Sequence, residues 1–236
     1  MKVLIIIPAY NEEASIANVI QAIRTKAPEV DIVVINDGSK DNTAAVAKAT
    51  KQAHVITLPL NVGIGGAMQT GYMYAKKHDY DVAVQMDADG QHDPAYLHEL
   101  LDALSKGEAD CMIGSRFIQK TAYRSSISRR TGILFFTWLL KLATKERFTD
   151  PTSGFRAANR KVIDVFANYY PDDYPEVETI VLLQRLGYKV KETSVLMHSR
   201  ETGASSITPL KSIYYMIKVS LAVFMTLLRT VGRTNG

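Results

Sequence analysis

The chain has 236 residues, 47% hydrophobic and 22% charged, enough for one domain with a sizeable core or one domain with an appendage. Its one cysteine, Cys111, excludes an internal disulfide and fits a reducing compartment. The net charge of +4 is uneven, with eight Lys or Arg against Glu146 alone at 116–147, and no acid after Glu201 while Lys211, Lys218, Arg229 and Arg233 follow; without a nucleic-acid motif or stacking aromatics, this excludes nucleic acid and leaves phosphate or anionic lipid.

In chain order, the apolar run 2–7 is too short for a secretory leader and lacks a small-residue cleavage site, so it reads as a first buried strand. Further strand-length runs rich in β-branched residues stand at 30–35, 54–58, 80–86 and 110–114. Between them, 12–25, 42–52, 64–77 and 94–106 have helical spacing. This alternation predicts an α/β fold with a mostly parallel sheet, helices on both faces, and ligands beyond the carboxyl ends of the strands. The unusual residues are there: "PAYNEE" follows the first strand, "NDGSKDN" the second, "PLNVGIGG" the third and "DADGQHD" the fourth. In the less regular second half, 128–143 reads as an apolar helix, 174–187 as a helix ended by Gly187, and 188–199 as a late strand. A separate tail begins at Thr208.

Asp87, Asp89, Gln91, His92 and Asp93 crowd into one short stretch, where carboxylates need a cation or solvent. An Asp-x-Asp is expected about 0.8 times by chance in this composition. The second instance, Asp79-Tyr80-Asp81, reads as a solvated turn, so the bare pattern carries little weight. Its place after a buried strand carries more. Strand alternation would point Asp87, Asp89 and Gln91 the same way, as hard oxygen ligands for Mg²⁺ or Mn²⁺ with positions left for phosphates. Asp93 reads as a cap for the helix at Pro94. Asp37 could cap a helix or accept from a nucleobase, and Asp41 or Asn42 is the better cap, which leaves Asp37 for ligand. "NVGIGGAMQTG" fails the dinucleotide fingerprint because Met68 stands where the third Gly belongs, yet a close backbone approach is expected at this helix start, around Gly65.

Taken together, "PAYNEE", "NDGSKDNT", N-x-G-x-GGA, "MDADGQHDP", "GSRF", "DPTSGFR" and R-x-x-G-x-S resemble, in order, the motifs of glycosyltransferase family 2. The nearest resemblance is to polyprenyl-phosphate sugar synthases of the dolichyl-phosphate mannose synthase type, over about residues 2–208. It implies a GT-A type nucleotide-diphospho-sugar transferase fold and a metal-dependent, inverting hexosyltransferase. Pro8, Tyr10, Glu12 and Asp37 would line the nucleoside pocket, with Gly65 nearby. Asp87 would lie near the ribose and sugar, and Asp89 and Gln91 would join it on Mg²⁺ or Mn²⁺ holding the diphosphate. Arg116 would ride a loop closing over the site. Asp150, Ser153, Gly154 and Arg156 would border donor sugar and acceptor. Glu178 would be a carboxylate on a helix flanking the site, and Arg200 and Ser205 would meet phosphates. The plainer readings are surface salt bridges for Arg156 and Arg200, a solvated helix charge for Glu178, and a Pro-led turn for "DPTSGF".

These implications define the expected protein. Residues 1–208 form the catalytic domain, with 1–115 holding a nucleotide-diphosphate sugar, UDP-sugar favoured, and 116–208 the acceptor. The acceptor is polyprenyl phosphate, already anionic; a glycan hydroxyl would need Asp150 or Glu178 as base. A non-catalytic nucleotide-sugar-binding subunit is the remaining alternative. The tail, 209–236, is short of a membrane span and puts Lys211, Tyr215, Lys218, Ala222, Thr226, Arg229 and Arg233 along one helical stripe. It is expected to hold the enzyme peripherally on the cytoplasmic face of the membrane, with a small membrane-protein partner, a homo-oligomer or docking on the protein's own core as alternatives.

Overall fold

The computed structural model describes residues 1–118, 127–172, 175–198 and 209–228, with side chains outside 127–130 and 209–213. Its strands are β1 (Val3–Ala9), β2 (Asp31–Asn36), β3 (His54–Thr57), β4 (Val82–Gln85), β5 (Cys111–Ser115), β6 (Arg156–Asn159) and β7 (Val190–Ser194). They form one sheet in the order β3-β2-β1-β4-β6-β5-β7, parallel except for β6, which runs antiparallel to both neighbours. β1 shows why both faces are covered. Val3, Ile5 and Ile7 belong to one apolar cluster, Leu4 and Ile6 to the other, and all five are buried. Each fully buried aliphatic side chain of this kind contributes roughly 1.5–3 kcal/mol.

On the first face lie α1 (Ile16–Lys26), α2 (Thr43–Ala49) and α4 (Leu97–Ser105). Ile16, Val19, Ile20 and Ile23 make the buried stripe of α1, at the spacing of one helical face. On the second face lie α3 (Gly63–Lys77), α5 (Ile127–Thr144), α6 (Arg160–Asn168), α7 (Pro175–Arg185) and α8 (Pro209–Leu228). The five strands and four helices expected in the first half are all present. The sequence reading passed over β6 and α6. β6 is only "RAAN", and α6 is a nine-residue helix whose start is capped by Asn159, which accepts from Val162 N at 3.1 Å.

Helix α8 corrects the reading of the tail in one respect. The described part of its stripe, Tyr215, Lys218, Ala222 and Thr226, packs against the protein. Thr226 is buried and donates to Glu178 of α7, Tyr215 meets Phe136 of α5 edge-on at 5.0 Å, and Lys218 and Ala222 line a cavity with Glu178. Val219 and Val223 complete the docked side. Outward, α8 exposes Tyr214, Ile217, Leu221 and Phe224, with Met225, Leu227 and Leu228 exposed toward its end, where Met225 and Leu228 also border the Glu178 cavity, and α5 adds Leu134, Trp138 and Leu142 one turn apart. Once buried between the helices, the Thr226 hydroxyl and the Glu178 carboxylate need a partner away from water, and each supplies the other's. Among the described residues no helix is long and apolar enough to cross a membrane.

Candidate active site

The residues expected on the nucleoside side lie at the carboxyl ends of β1 and β2. Pro8 lies opposite Ile35 in the β1–β2 pairing, Tyr10 is exposed just beyond β1, and Asp37 N donates to Ala9 O. Asp41 does cap α2, accepting from Thr43 N at 3.0 Å. Asp37, however, is itself a cap. Its two carboxylate oxygens accept from Val62 N at 2.8 Å and Gly63 N at 3.0 Å, which satisfies the first amides of α3. Glu12 is likewise engaged locally, accepting from Ser15 Oγ at 2.7 Å. Gly65 is corrected too. A Cβ there would stand 2.2 Å from Pro171 O and 2.3 Å from Asp172 O, so the backbone that approaches this helix start belongs to the protein.

β4 ends at Gln85, so Asp87, Asp89 and Gln91 sit on a turn and do not share a strand face. Asp87 is partly exposed, whereas Asp89 is 4% exposed and accepts from Gln91 N at 3.0 Å. Gln91 donates its amide to His198 O at 3.3 Å, which leaves its oxygen for a ligand. Gly154 makes room for Asp87: a Cβ there would lie 3.1 Å from both carboxylate oxygens. Asp93 caps the single 3₁₀ turn at Pro94–Tyr96 as expected. This donor set fits a divalent ion shared with a diphosphate. It offers two carboxylates and an amide oxygen on one turn, and among the described residues no three His, Cys, Asp or Glu form a complete cage. His198, which sequence reading missed, stands at the same rim, with Nε2 3.3 Å from Asp93 Oδ2.

Behind this turn lies a buried ionic core. Asp150 is fully buried and takes Arg116 N, Nε and Nη2 at 3.1, 2.6 and 2.7 Å. Arg116 is therefore pinned just past the end of β5 by this pair, and the Asp150 carboxylate is occupied by it. Glu192, also missed, accepts from Thr149 N and Asp150 N at 2.7 and 2.8 Å, and burial raises its pKa despite those bonds. Arg156 is buried as well, which overturns the surface-salt-bridge alternative. Its Nε, Nη1 and Nη2 donate to Ser153 O, Thr179 Oγ1 and Pro151 O, so it ties the 151–154 turn to α7. Ser153 is buried in the same turn. No carboxylate pairs with Arg156 among the described residues.

Glu178 is on α7 as expected and is buried against α8. Its Oε1 accepts from Tyr169 at 3.2 Å and Thr226 at 2.8 Å, beside an open cavity of about 450 Å³ lined in part by α8. Glu176, two residues earlier, turns the other way. Burial raises its pKa, the Arg156 cation opposes the rise, and Asp87 adds to it. Arg200 and Ser205 lie outside the described residues.

A mostly parallel α/β sheet with an acidic turn at the end of its central β4 defines a sugar-nucleotide transferase fold of the GT-A type. The glucosyl-3-phosphoglycerate synthase of Mycobacterium tuberculosis, solved with Mn²⁺, UDP and phosphoglyceric acid, superposes with a TM-score of 0.72 over 98% of this chain and 80% of its own, at 22% identity. Residues 4–166 match the glycosyl transferase family 2 profile. The polyprenol monophosphomannose synthase of Mycolicibacterium smegmatis is 31% identical over 88% of this chain and 81% of its own length. The undecaprenyl-phosphate mannosyltransferase of Micrococcus luteus is 34% identical over 88% of each. The chain belongs to glycosyltransferase family 2, and it is a glycosyltransferase.

Proposed function

We propose that the enzyme moves a sugar, with inversion, from a nucleotide-diphosphate donor to polyprenyl phosphate, working from the cytoplasmic surface of a membrane. The observation that carries this reading is the outward apolar face of α5 and α8, on a chain whose two relatives above are named for polyprenyl acceptors. Ten exposed large apolar side chains on two adjoining helices, Leu227 among them, form more than scattered surface hydrophobes, and the exposed Lys141, Lys145 and Arg147 on and just after α5 supply charge for anionic headgroups.

Asp87, Asp89 and the Gln91 oxygen are the protein's share of a Mg²⁺ or Mn²⁺ site. Bound there, the ion would neutralise charge developing on the departing nucleoside diphosphate. The pairing of Asp150 with Arg116 and of Glu178 with Thr226 of α8 supports a reaction that uses neither carboxylate as a general base. A phosphate acceptor, with a second pKa of ~6, needs no strong base. Glu176 favours one competing reading: burial raises its pKa, which makes its ionised form the stronger base for a hydroxyl acceptor.

The deciding experiment offers nucleotide sugars, UDP-sugars first, with polyprenyl phosphate in anionic vesicles or with soluble glycans, and detects product by mass spectrometry. Glycolipid formation is expected; transfer only to glycan hydroxyls, abolished in Glu176→Gln, would replace this reading with the second. For the membrane surface, Ile217→Glu, Leu221→Glu and Phe224→Glu are better probes than truncation, because removing α8 would uncover Glu178. They should prevent sedimentation with vesicles and leave nucleotide binding unchanged.

A further inference from the structure

The acidic turn contains one residue that the chemistry above does not use. His92 is 6% exposed, and both its ring nitrogens face the same residue. Nδ1 accepts from Asp87 N at 3.0 Å, and Nε2 lies 3.6 Å from Asp87 Oδ2. Because Nδ1 accepts, a neutral ring carries its proton on Nε2, the side turned to the carboxylate.

We propose that His92 is a positioning residue that fixes both the backbone and the carboxylate of Asp87 before the donor arrives. The proposal rests on Asp87 acting as a donor-site ligand. The imidazole is itself held on two sides. It stacks on Phe155 with centroids 5.0 Å apart and planes at 15°, and a bridge pairs His92 with Met197 beyond β7. Phe155 follows Gly154, the residue whose missing Cβ admits the Asp87 carboxylate. Asp87 thus lies between an imidazole that orients it and a glycine that clears its path, and the imidazole is braced by the residue after that glycine. An aromatic hydrocarbon would fill the same space. It would also leave a buried N–H without an acceptor and the carboxylate without its neighbouring N–H. A ring serving only to pack would not need both nitrogens on one residue five positions earlier in the chain.

The test separates ring from nitrogen. His92→Phe keeps the stack on Phe155 and loses both polar contacts, while His92→Asn returns an amide oxygen near the position of Nδ1. Free Mn²⁺ is followed by electron paramagnetic resonance during titration of the full chain with UDP, GDP, CDP, ADP or dTDP, alongside transfer kinetics and thermal melting. His92→Phe should weaken Mn²⁺–nucleotide binding roughly 10–100-fold, as loss of a partner behind a metal ligand does, and His92→Asn should recover most of that loss. If His92→Phe does not fold, His92→Gln, which lacks the Nδ1 acceptor, takes its place in the comparison. Wild-type binding by His92→Phe, or no recovery in His92→Asn, overturns the proposal. Asp87→Asn run in parallel shows which idea failed: weak binding there with wild-type binding in His92→Phe removes only the role of His92, whereas wild-type binding in Asp87→Asn removes the donor-site reading of Asp87 as well.

Discussion

Replacing Asp150 by Ala distinguishes a structural from a catalytic carboxylate. The wild-type pair is shut away from water, with Asp150 at 0% and the Arg116 side chain at 4% exposure, and three Arg116 N–H groups reach the carboxylate at 2.6–3.1 Å. Truncating Asp150 takes the carboxylate from a buried guanidinium that keeps a bond to Thr152 Oγ1, which costs about 3–5 kcal/mol. For a chain of this size each kcal/mol lowers Tm by about 2–4 °C, so the melting point should fall by about 6–20 °C. Scanning calorimetry reads this directly, with transfer assayed well below the transition. The double variant Arg116→Met, Asp150→Leu should regain much of the loss, because no unpaired charge remains. Wild-type melting of Asp150→Ala with turnover abolished would refute the reasoning and restore Asp150 to the reaction.

Three further outcomes follow from the interior. Burial pushes the Cys111 thiol up to about 11, so a thiol reagent at neutral pH should label it only on unfolding, and rapid labelling of native protein would contradict its packing. Burial holds the folded-state pKa of Glu176 above 4.5, so the native state keeps a proton the unfolded chain loses; stability should fall as pH rises from 4.5 through the raised pKa. Urea melts of Glu176→Gln should lack that fall, and parallel curves would count against it. Gly65→Ala drives a Cβ into the Pro171–Asp172 backbone and should cost about 1–3 kcal/mol, whereas Gly132→Ala, with nothing within 4 Å, should gain about 0.5–1 kcal/mol; equal effects in denaturant melts would contradict the packing.

The strand–helix alternation of the first half was legible because buried parallel strands are written as unbroken apolar runs, "VLIII" and "IVVI" among them. β6 was not legible because "RAAN" has neither length nor β-branched residues; it is a strand because β4 and β5 offer it two edges. At the site, sequence order found Asp87, Asp89 and Gln91 but not their exposure, which depends on where β4 stops. Asp150, Asp37 and Glu178 read as ligands or bases because a carboxylate's partner is not written beside it: Arg116 is 34 positions from Asp150, and Thr226 is 48 from Glu178. Glu192 left a usable signal. In the alternating "VKETS" it falls on the same side as buried Val190, and an inward charge requires a partner.

The antiparallel β6 also bears on how this enzyme is made. β4 and β5 never touch, because a strand encoded after both of them lies between. On the ribosome, β4 is complete at Gln85 but its neighbour begins only at Arg156, a wait of roughly 4–14 s at ~5–20 residues per second. Until then two inner edges stay unsatisfied, and a nascent chain with open strand edges is prone to pair with its neighbours. Nor should the first half of the chain fold as an independent unit, since any fragment ending before Asn159 lacks the strand that joins its sheet. A fragment of residues 1–118 mixed with one beginning before Arg156 should instead complement by strand insertion, which would turn the late strand into a switch for assembling the enzyme from two pieces.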